Sequence, residues 1–149
     1  MAPLCAALYL FHSQGLIMSK FEGSCHCGAV TWAFSLPIKT VVKCHCNNCR
    51  KLQGSDYSSW VVVPQSQFEV LSGQDVVSLY KANETSSKSF CSTCGSAAYL
   101  VNGKHFPGNF VLPLGAVNNY TNELAPQIQV YTTDKAPWVN LHEDEPVFS

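Results

Sequence analysis

Cys25-His26-Cys27-Gly28 and Cys91-Ser92-Thr93-Cys94-Gly95 are two cysteine pairs that lie far apart in the sequence, and a glycine follows each pair. Glycine reaches the left-handed conformation that a tight turn needs if its backbone N–H groups are to point at thiolate sulfurs. Four thiolates complete a tetrahedral zinc site. The two pairs therefore predict a structural zinc that joins the first strand to a late one and adds folding free energy.

Cys44-His45-Cys46-Asn47-Asn48-Cys49 supplies three more cysteines from one short loop, and Arg50 follows it where the other clusters have glycine. This cluster is therefore not a third copy of the same turn. Three thiolates leave the fourth position of a tetrahedral metal free for water or substrate, as in catalytic zinc sites. Two alternatives stay open. One is a closed site with His45, His26 or His105 as fourth ligand, and the other is a set of reactive thiols without a permanent metal.

The charge of this central cluster indicates which ligand it would accept. Three thiolates on Zn²⁺ give a net negative centre, and thiolate donation weakens the metal as a Lewis acid. Soft ligands match such a centre, so a thiol substrate is more natural there than simple hydrolysis. His45 is the nearest candidate for a proton shuttle.

The residues after the central cluster are candidates for substrate binding. Arg50 and Lys51 would offset the negative metal centre or hold a substrate carboxylate, unless they are ordinary surface cations. The backbone at Gly54 and Ser55 could approach a ligand closely, because glycine has no side chain to obstruct it.

The composition indicates a single domain with its own core. The chain has 149 residues, of which 46% are hydrophobic and 13% charged, and its net charge is −1. That apolar content suffices for a core without disulfides, whereas a nucleic-acid binder usually carries a basic excess. No apolar run approaches the roughly 20 residues that span a bilayer. We therefore expect neither a nucleic-acid nor a membrane partner.

The cysteine spacing also indicates a compartment. A disulfide within a Cys-x-Cys pair closes a strained ring and crosslinks almost nothing. Disulfides between distant clusters are the alternative, but metal ligation explains the clustering better. Because metal ligation needs reduced thiols, the spacing predicts a cytoplasmic protein.

Residues 1–18 are predicted to stand apart from the domain. Their apolar part, residues 4–11, is not preceded by Lys or Arg and makes a poor signal peptide. Because Met18 offers a second start, we interpret the segment as a disordered extension or a misassigned start. Cys5 lies in it and is given no role. Residues 19–149 are predicted to form one zinc-binding domain.

Short β segments at intervals of about ten residues, with turn residues between them, predict an all-β sandwich or barrel-like fold. The best candidate for a helix is short, residues 48–52. The C-terminal residues 135–149 are expected to form an irregular strap whose aromatic side chains pack on the sheet. The predicted strands cover residues 30–34, 40–43, 59–63, 68–71, 76–80, 87–90, 97–101, 110–114 and 128–131.

Three stretches together resemble the glutathione-dependent formaldehyde-activating enzyme family, which includes centromere protein V: residues 23–30, 44–51 and 90–96. The resemblance runs from about residue 21 to residue 148. It implies a mainly β fold, a β-tent of twisted antiparallel sheets around two zinc sites. It also implies two ligand sets, a structural zinc at Cys25, Cys27, Cys91 and Cys94 and a catalytic zinc at Cys44, Cys46 and Cys49.

The same resemblance implies a zinc-dependent carbon–sulfur lyase that acts on a thiol adduct of a small carbonyl compound. The named activity of the family joins glutathione and formaldehyde as S-hydroxymethylglutathione, so a small thiol such as glutathione is the expected partner. The expected catalytic residues are His45 and Arg50. Gln129 stands where the family pattern often has a histidine. The alternatives are a zinc module that binds a partner without catalysis, and a thiol or metal sensor.

Overall fold

The computed structural model describes residues 20–149, and over that range the chain is mainly β, as the sequence predicts. The predicted extension, residues 1–18, and Cys5 within it lie outside the described residues. The strands are β1 (Lys20–Ser24), β2 (Thr31–Ser35), β3 (Thr40–Cys44), β4 (Ser58–Pro64), β5 (Phe68–Ser72), β6 (Val77–Lys81), β7 (Ser86–Cys91), β8 (Ala97–Asn102), β9 (Asn109–Pro113), β10 (Ile128–Val130) and β11 (Val147–Phe148).

One α-helix occurs among the described residues, α1 (Asn47–Gln53), which contains the predicted residues 48–52. The Cys46 sulfur caps its first turn by accepting a hydrogen bond from the Cys49 N–H. Gly54 ends it in the left-handed conformation, with φ of 65°. No helix of the described residues is long and apolar enough to cross a membrane. Short 3₁₀ turns lie at Gln65–Gln67, Gln74–Val76, Leu114–Ala116, Asn122–Leu124 and Thr132–Asp134.

The strands form two twisted sheets. The small sheet has the order β1-β2-β5, and the large sheet has the order β11-β10-β3-β4-β9-β8-β7-β6. All pairings are antiparallel except at one edge of the large sheet, where β10 pairs in parallel with both β3 and β11. The sequence did not predict this parallel edge, because it depends on where the chain returns after forming the rest of the sheet.

The main core lies between the two sheets. Trp32 and Phe34 of the small sheet pack there with Val61 and Val63 of the large sheet. Gly23 of β1 permits this packing, because a Cβ at that position would lie 2.1 Å from the Trp32 ring. Glycine is therefore needed at position 23 because the Trp32 ring packs against it, and not because the chain turns there.

A second apolar cluster lies on the opposite face of the large sheet. Trp60 belongs to it, whereas its chain neighbour Val61 belongs to the main core, since successive strand residues face opposite sides. Cys44 packs in this second cluster with Trp60, Leu100 and Val111. The large sheet is thus covered on both faces, which explains the continuous apolar run of β4.

The C-terminal segment differs from the expectation. Trp138 is 71% exposed and Phe148 is 55% exposed, so these aromatic rings do not pack on the sheet. The segment is attached by polar contacts instead. The Trp138 indole N–H donates to Asp56 at 3.1 Å, and the Gln129 N–H donates to the Pro146 carbonyl at 2.9 Å.

Candidate metal centres

The four-cysteine cluster joins two hairpin turns that belong to different sheets. Cys25 and Cys27 lie in the turn between β1 and β2. Cys91 is the last residue of β7, and Cys94 lies in the turn between β7 and β8. All four sulfur atoms lie within 4.8 Å of one another. The Cys25–Cys27 and Cys27–Cys91 sulfur distances are 3.6 and 3.8 Å. Sulfurs bound at about 2.3 Å to a tetrahedral zinc are about 3.8 Å apart, so the cluster fits such an ion.

The glycines after the two pairs have the predicted geometry. Gly28 and Gly95 both have a φ of +77°, in the left-handed region. The Gly28 N–H donates to the Cys25 carbonyl at 3.1 Å, and the Gly95 N–H donates to the Cys91 carbonyl at 2.8 Å. In the first turn, the Val30 N–H reaches the Cys25 sulfur at 3.3 Å. This backbone N–H therefore points at a cysteine sulfur, as the sequence predicts.

Hydrogen bonds favour the thiolate form of Cys91 and Cys94, at the second turn. The Ser96 hydroxyl lies 3.3 Å from the Cys94 sulfur, and hydrogen bonding by this group lowers the pKa of Cys94 to about 5. The backbone N–H of Cys94 lowers the pKa of Cys91. Since metals bind the thiolate, these hydrogen bonds prepare the turn for metal binding.

The three-cysteine cluster comes from one local segment. Cys44 is the last residue of β3, Cys46 is the N-cap of α1, and Cys49 lies in the first turn of α1. Their sulfur atoms also lie within 4.8 Å of one another. Hydrogen bonding from the Cys49 thiol lowers the pKa of Cys44 to about 6, and the same contact together with burial raises the pKa of Cys49. This contact favours the thiolate form of Cys44 over that of Cys49.

Among the described residues, no fourth His, Cys, Asp or Glu atom joins this three-cysteine group. The histidines considered as a fourth ligand lie elsewhere. His26 is exposed in the β1–β2 turn and His105 is exposed between β8 and β9. A closed site with a histidine ligand therefore has no support in this part of the chain. Cys46 and Cys49 are half-buried, so the cluster remains accessible beside its apolar wall.

His45 is buried instead of facing the cluster opening, with 1% exposure. Its Nε2 lies 3.4 Å from Gln129 Oε1, and its ring lies 5.4 Å from the ring of Tyr57. Burial lowers the pKa of His45, which favours the neutral imidazole. The backbone N–H of His45 also donates to the Val130 carbonyl at 3.1 Å. These contacts hold His45, which lies between Cys44 and Cys46 in the sequence, against β10. Its role as a proton shuttle stays a prediction.

The predicted substrate-binding residues differ in what they offer. Arg50 is half-buried, and its Nε has no hydrogen-bond partner among the described residues. Lys51 is exposed. The N–H groups of Gly54 and Ser55 both donate to the Arg50 carbonyl, at 2.8 and 3.2 Å. Those two N–H groups therefore end the helix and do not offer donors to a ligand, and substrate binding by these four residues stays a prediction.

The structure also brings residues to the site that the sequence did not single out. Lys88 of β7 is half-buried, and its ammonium donates to the Leu52 carbonyl at the end of α1 at 2.5 Å. Lys43 pairs with Glu145 at 2.8 Å, with side chains 12% and 16% exposed. No local motif marks these residues, because their partners come from distant segments.

Comparisons with known proteins agree with this geometry. Residues 20–134 match the family described as "Glutathione-dependent formaldehyde-activating enzyme". A curated protein of Halomonas elongata, named "Putative glutathione-dependent formaldehyde-activating enzyme", is 27% identical over 131 residues, which cover 83% of this chain and 82% of that protein.

A solved structure supports the fold alone. The crystal structure of a Rhodobacter sphaeroides protein superposes with a TM-score of 0.55 and 21% sequence identity. The match covers 72% of this chain and 97% of that one.

Proposed function

The chain belongs to the glutathione-dependent formaldehyde-activating enzyme family, and from that premise we propose that it is a zinc-dependent carbon–sulfur lyase. Its substrate would be a thiol adduct of a small carbonyl compound, such as S-hydroxymethylglutathione. We further propose that residues 19–149 form one β-tent domain with two zinc ions, one structural and one with an open position.

The observation that carries the proposal is the group formed by Cys44, Cys46 and Cys49 without a fourth protein ligand among the described residues. A zinc ion held by these three would supply a soft Lewis acid that stabilises a fourth thiolate. An apolar wall that includes Trp60 and Leu100 keeps water from one side of the group. Both features suit a thiol substrate better than hydrolysis.

In the adduct-forming direction, the glutathione sulfur forms a bond to the formaldehyde carbon, the carbonyl π bond breaks, and the thiol proton ends on the oxygen. In the reverse direction the hydroxyl proton leaves, the carbon–sulfur bond breaks, and the sulfur regains a proton. No oxidant or reductant is needed. The protein's contributions would be to hold the thiol in its reactive form and to orient it against the carbonyl.

Arg50 and His45 would contribute in different ways. Arg50 follows Cys49 on α1, and its guanidinium would offset the negative charge of three thiolates. His45 is held by Gln129 and Tyr57, and these contacts favour a role in fixing Cys44 and Cys46. A direct proton transfer by His45 would require the ring to leave this buried position.

We propose a cytoplasmic location, where thiols remain reduced. The seven cysteines of the described residues are free, and the sulfur distances of 3.6 and 3.8 Å exceed a disulfide bond of about 2.05 Å.

The test is adduct exchange between glutathione and formaldehyde, followed by two-dimensional exchange NMR with purified, zinc-loaded protein. We expect the protein to accelerate the exchange above the uncatalysed rate, and Cys49→Ser to remove the acceleration. Lys39→Gln, an exposed substitution before β3, is the matched control. An exchange rate equal to that without protein would refute the lyase proposal and favour a binding module or a sensor.

A further inference from the structure

A cavity of about 390 Å³ lies between the two cysteine clusters. Ser24 lines it from the end of β1, and His26 and Ser96 line it from the turns of the four-cysteine cluster. Leu52 and Gln53 line it from the last turn of α1. Its volume falls within the range of small-molecule sites. The cavity therefore joins the structural cluster to the helix that carries Cys49.

The cavity wall carries one ammonium group, that of Lys88. Lys88 lines the cavity, and one of its three N–H groups is used by the Leu52 carbonyl. No Asp or Glu of the described residues lines the cavity, and Lys88 forms neither of the two ion pairs found in residues 20–149. The Gln53 amide and the His26 ring also have no hydrogen-bond partner among the described residues. A half-buried ammonium with spare donors and no counter-ion suits a carboxylate.

The cavity is within reach of the three-cysteine cluster. Gln53 lies four residues after Cys49 on α1, so the two side chains share one face of the helix and are about 6 Å apart along its axis. Leu52 and Ala97 line the cavity and also pack in the apolar cluster around Cys44. The cavity wall is therefore continuous with the apolar cluster that contains the three cysteines.

We propose that this cavity is the carboxylate subsite of the thiol substrate, with Lys88 as its charged anchor. The inference rests on the proposed lyase function and names Lys88 as the residue that would select anionic thiols such as glutathione over neutral or cationic thiols. It assigns carboxylate recognition to Lys88 of β7 instead of to the exposed Lys51 of α1.

The test uses S-methylglutathione, which keeps both carboxylates but has no free thiol, and its diethyl ester, in which both carboxylate charges are removed. Isothermal titration calorimetry would compare the two ligands on the zinc-loaded full chain. We expect the wild type to bind the acid roughly tenfold or more tightly than the ester, in line with a hydrogen bond to a charged group. Lys88→Gln should abolish this preference, and Lys88→Arg should restore part of it.

The control is Lys104→Gln, an exposed cation in the β8–β9 loop at the end of β8 away from Ala97, which should keep the preference. Because Lys88 also contacts the end of α1, circular dichroism and zinc content must show that Lys88→Gln is folded. If that variant is unfolded, Gln53→Leu, which removes the amide alone, should weaken binding of the acid and not of the ester. Equal binding of acid and ester, no binding of either, or equal loss in Lys104→Gln would overturn the subsite.

The outcome is separable from the lyase proposal. Lys88-dependent binding of S-methylglutathione without accelerated formaldehyde exchange would support the carboxylate subsite and refute the lyase proposal. Accelerated exchange without any preference for the acid would support the lyase proposal and refute the subsite.

Discussion

The two cysteine clusters use the same side chain to join segments at very different separations along the chain. In the four-cysteine cluster, Cys27 and Cys91 are 64 positions apart and bring turns of two different sheets together. In the three-cysteine cluster, Cys46 and Cys49 are three positions apart and lie in one helical turn. Crosslinking distant segments removes much unfolded-chain entropy, whereas crosslinking neighbours removes little. The comparison leads us to expect that the first cluster stabilises the fold and that the second is free to serve chemistry.

Cys91→Ser is the change with the largest expected effect on this comparison. Cys91 is fully buried, and its loss would remove one of four ligands that join the two sheets. Apparent binding free energies of structural zinc are about 10–16 kcal/mol, so a zinc ion bound here would supply most of a typical domain stability. We expect the variant to be unfolded at 25 °C, as measured by far-UV circular dichroism.

Cys49→Ser is the matched variant in the other cluster. It should remain folded, with a loss of less than about 2 kcal/mol in the free energy of unfolding, and should bind one zinc per chain by elemental analysis. If both variants unfold alike, or both remain folded, the division between a structural and a chemical cluster is wrong.

Stepwise metal removal should reveal the same difference without mutation. The three-cysteine cluster is accessible through half-buried Cys46 and Cys49, so a limited amount of chelator should remove its metal first. The fold and the circular dichroism spectrum should persist at that stage. Removal of the second metal should then unfold the protein. Two metals lost together in one unfolding step would contradict this order.

Gln129→Leu tests how the fold positions the three-cysteine cluster. The substitution leaves buried His45 Nε2 without its partner, and it removes the bond from Gln129 Nε2 to the His142 carbonyl at 3.2 Å. We expect a loss of about 1–3 kcal/mol in stability, measured by urea unfolding, and weaker metal binding at this cluster alone. Gln65→Leu, an exposed change in the 3₁₀ turn after β4, is the control for the loss of an amide. Unchanged metal affinity would show that His45 does not position the cysteines.

Gly95→Ala has the smallest expected effect and sharpens the role of the turns. Gly95 has a φ of +77° and open space where the alanine methyl group would lie, so the cost is backbone strain of about 1–2 kcal/mol. Gly108, with a φ of +74° and equally open surroundings, is the matched control away from both clusters. Both alanine variants should lose similar stability in the presence of excess zinc. Weaker zinc affinity only in Gly95→Ala would show that this turn shapes the metal site.

Much of the fold and of the site could be predicted because the signals are local. The cysteine pairs with Gly28 and Gly95, the short helix after Cys44 and the regular spacing of β segments all depend on neighbouring residues. Two of the four edge strands, β1 and β11, were missed for an equally physical reason. β1 contains Gly23, whose small size is needed only because Trp32 packs against it, and β11 has just two residues.

The sequence by itself determined that seven cysteines form two unequal clusters, because residue spacing and turn residues are local properties of the chain. Only the tertiary structure decided that the four-cysteine cluster joins two sheets and that β10 returns parallel to β3. It also decided that Lys88, from a distant strand, lies at the end of α1 beside the cavity between the clusters. These arrangements depend on packing between segments far apart in the chain, and such packing leaves no mark on the residues next to each of them.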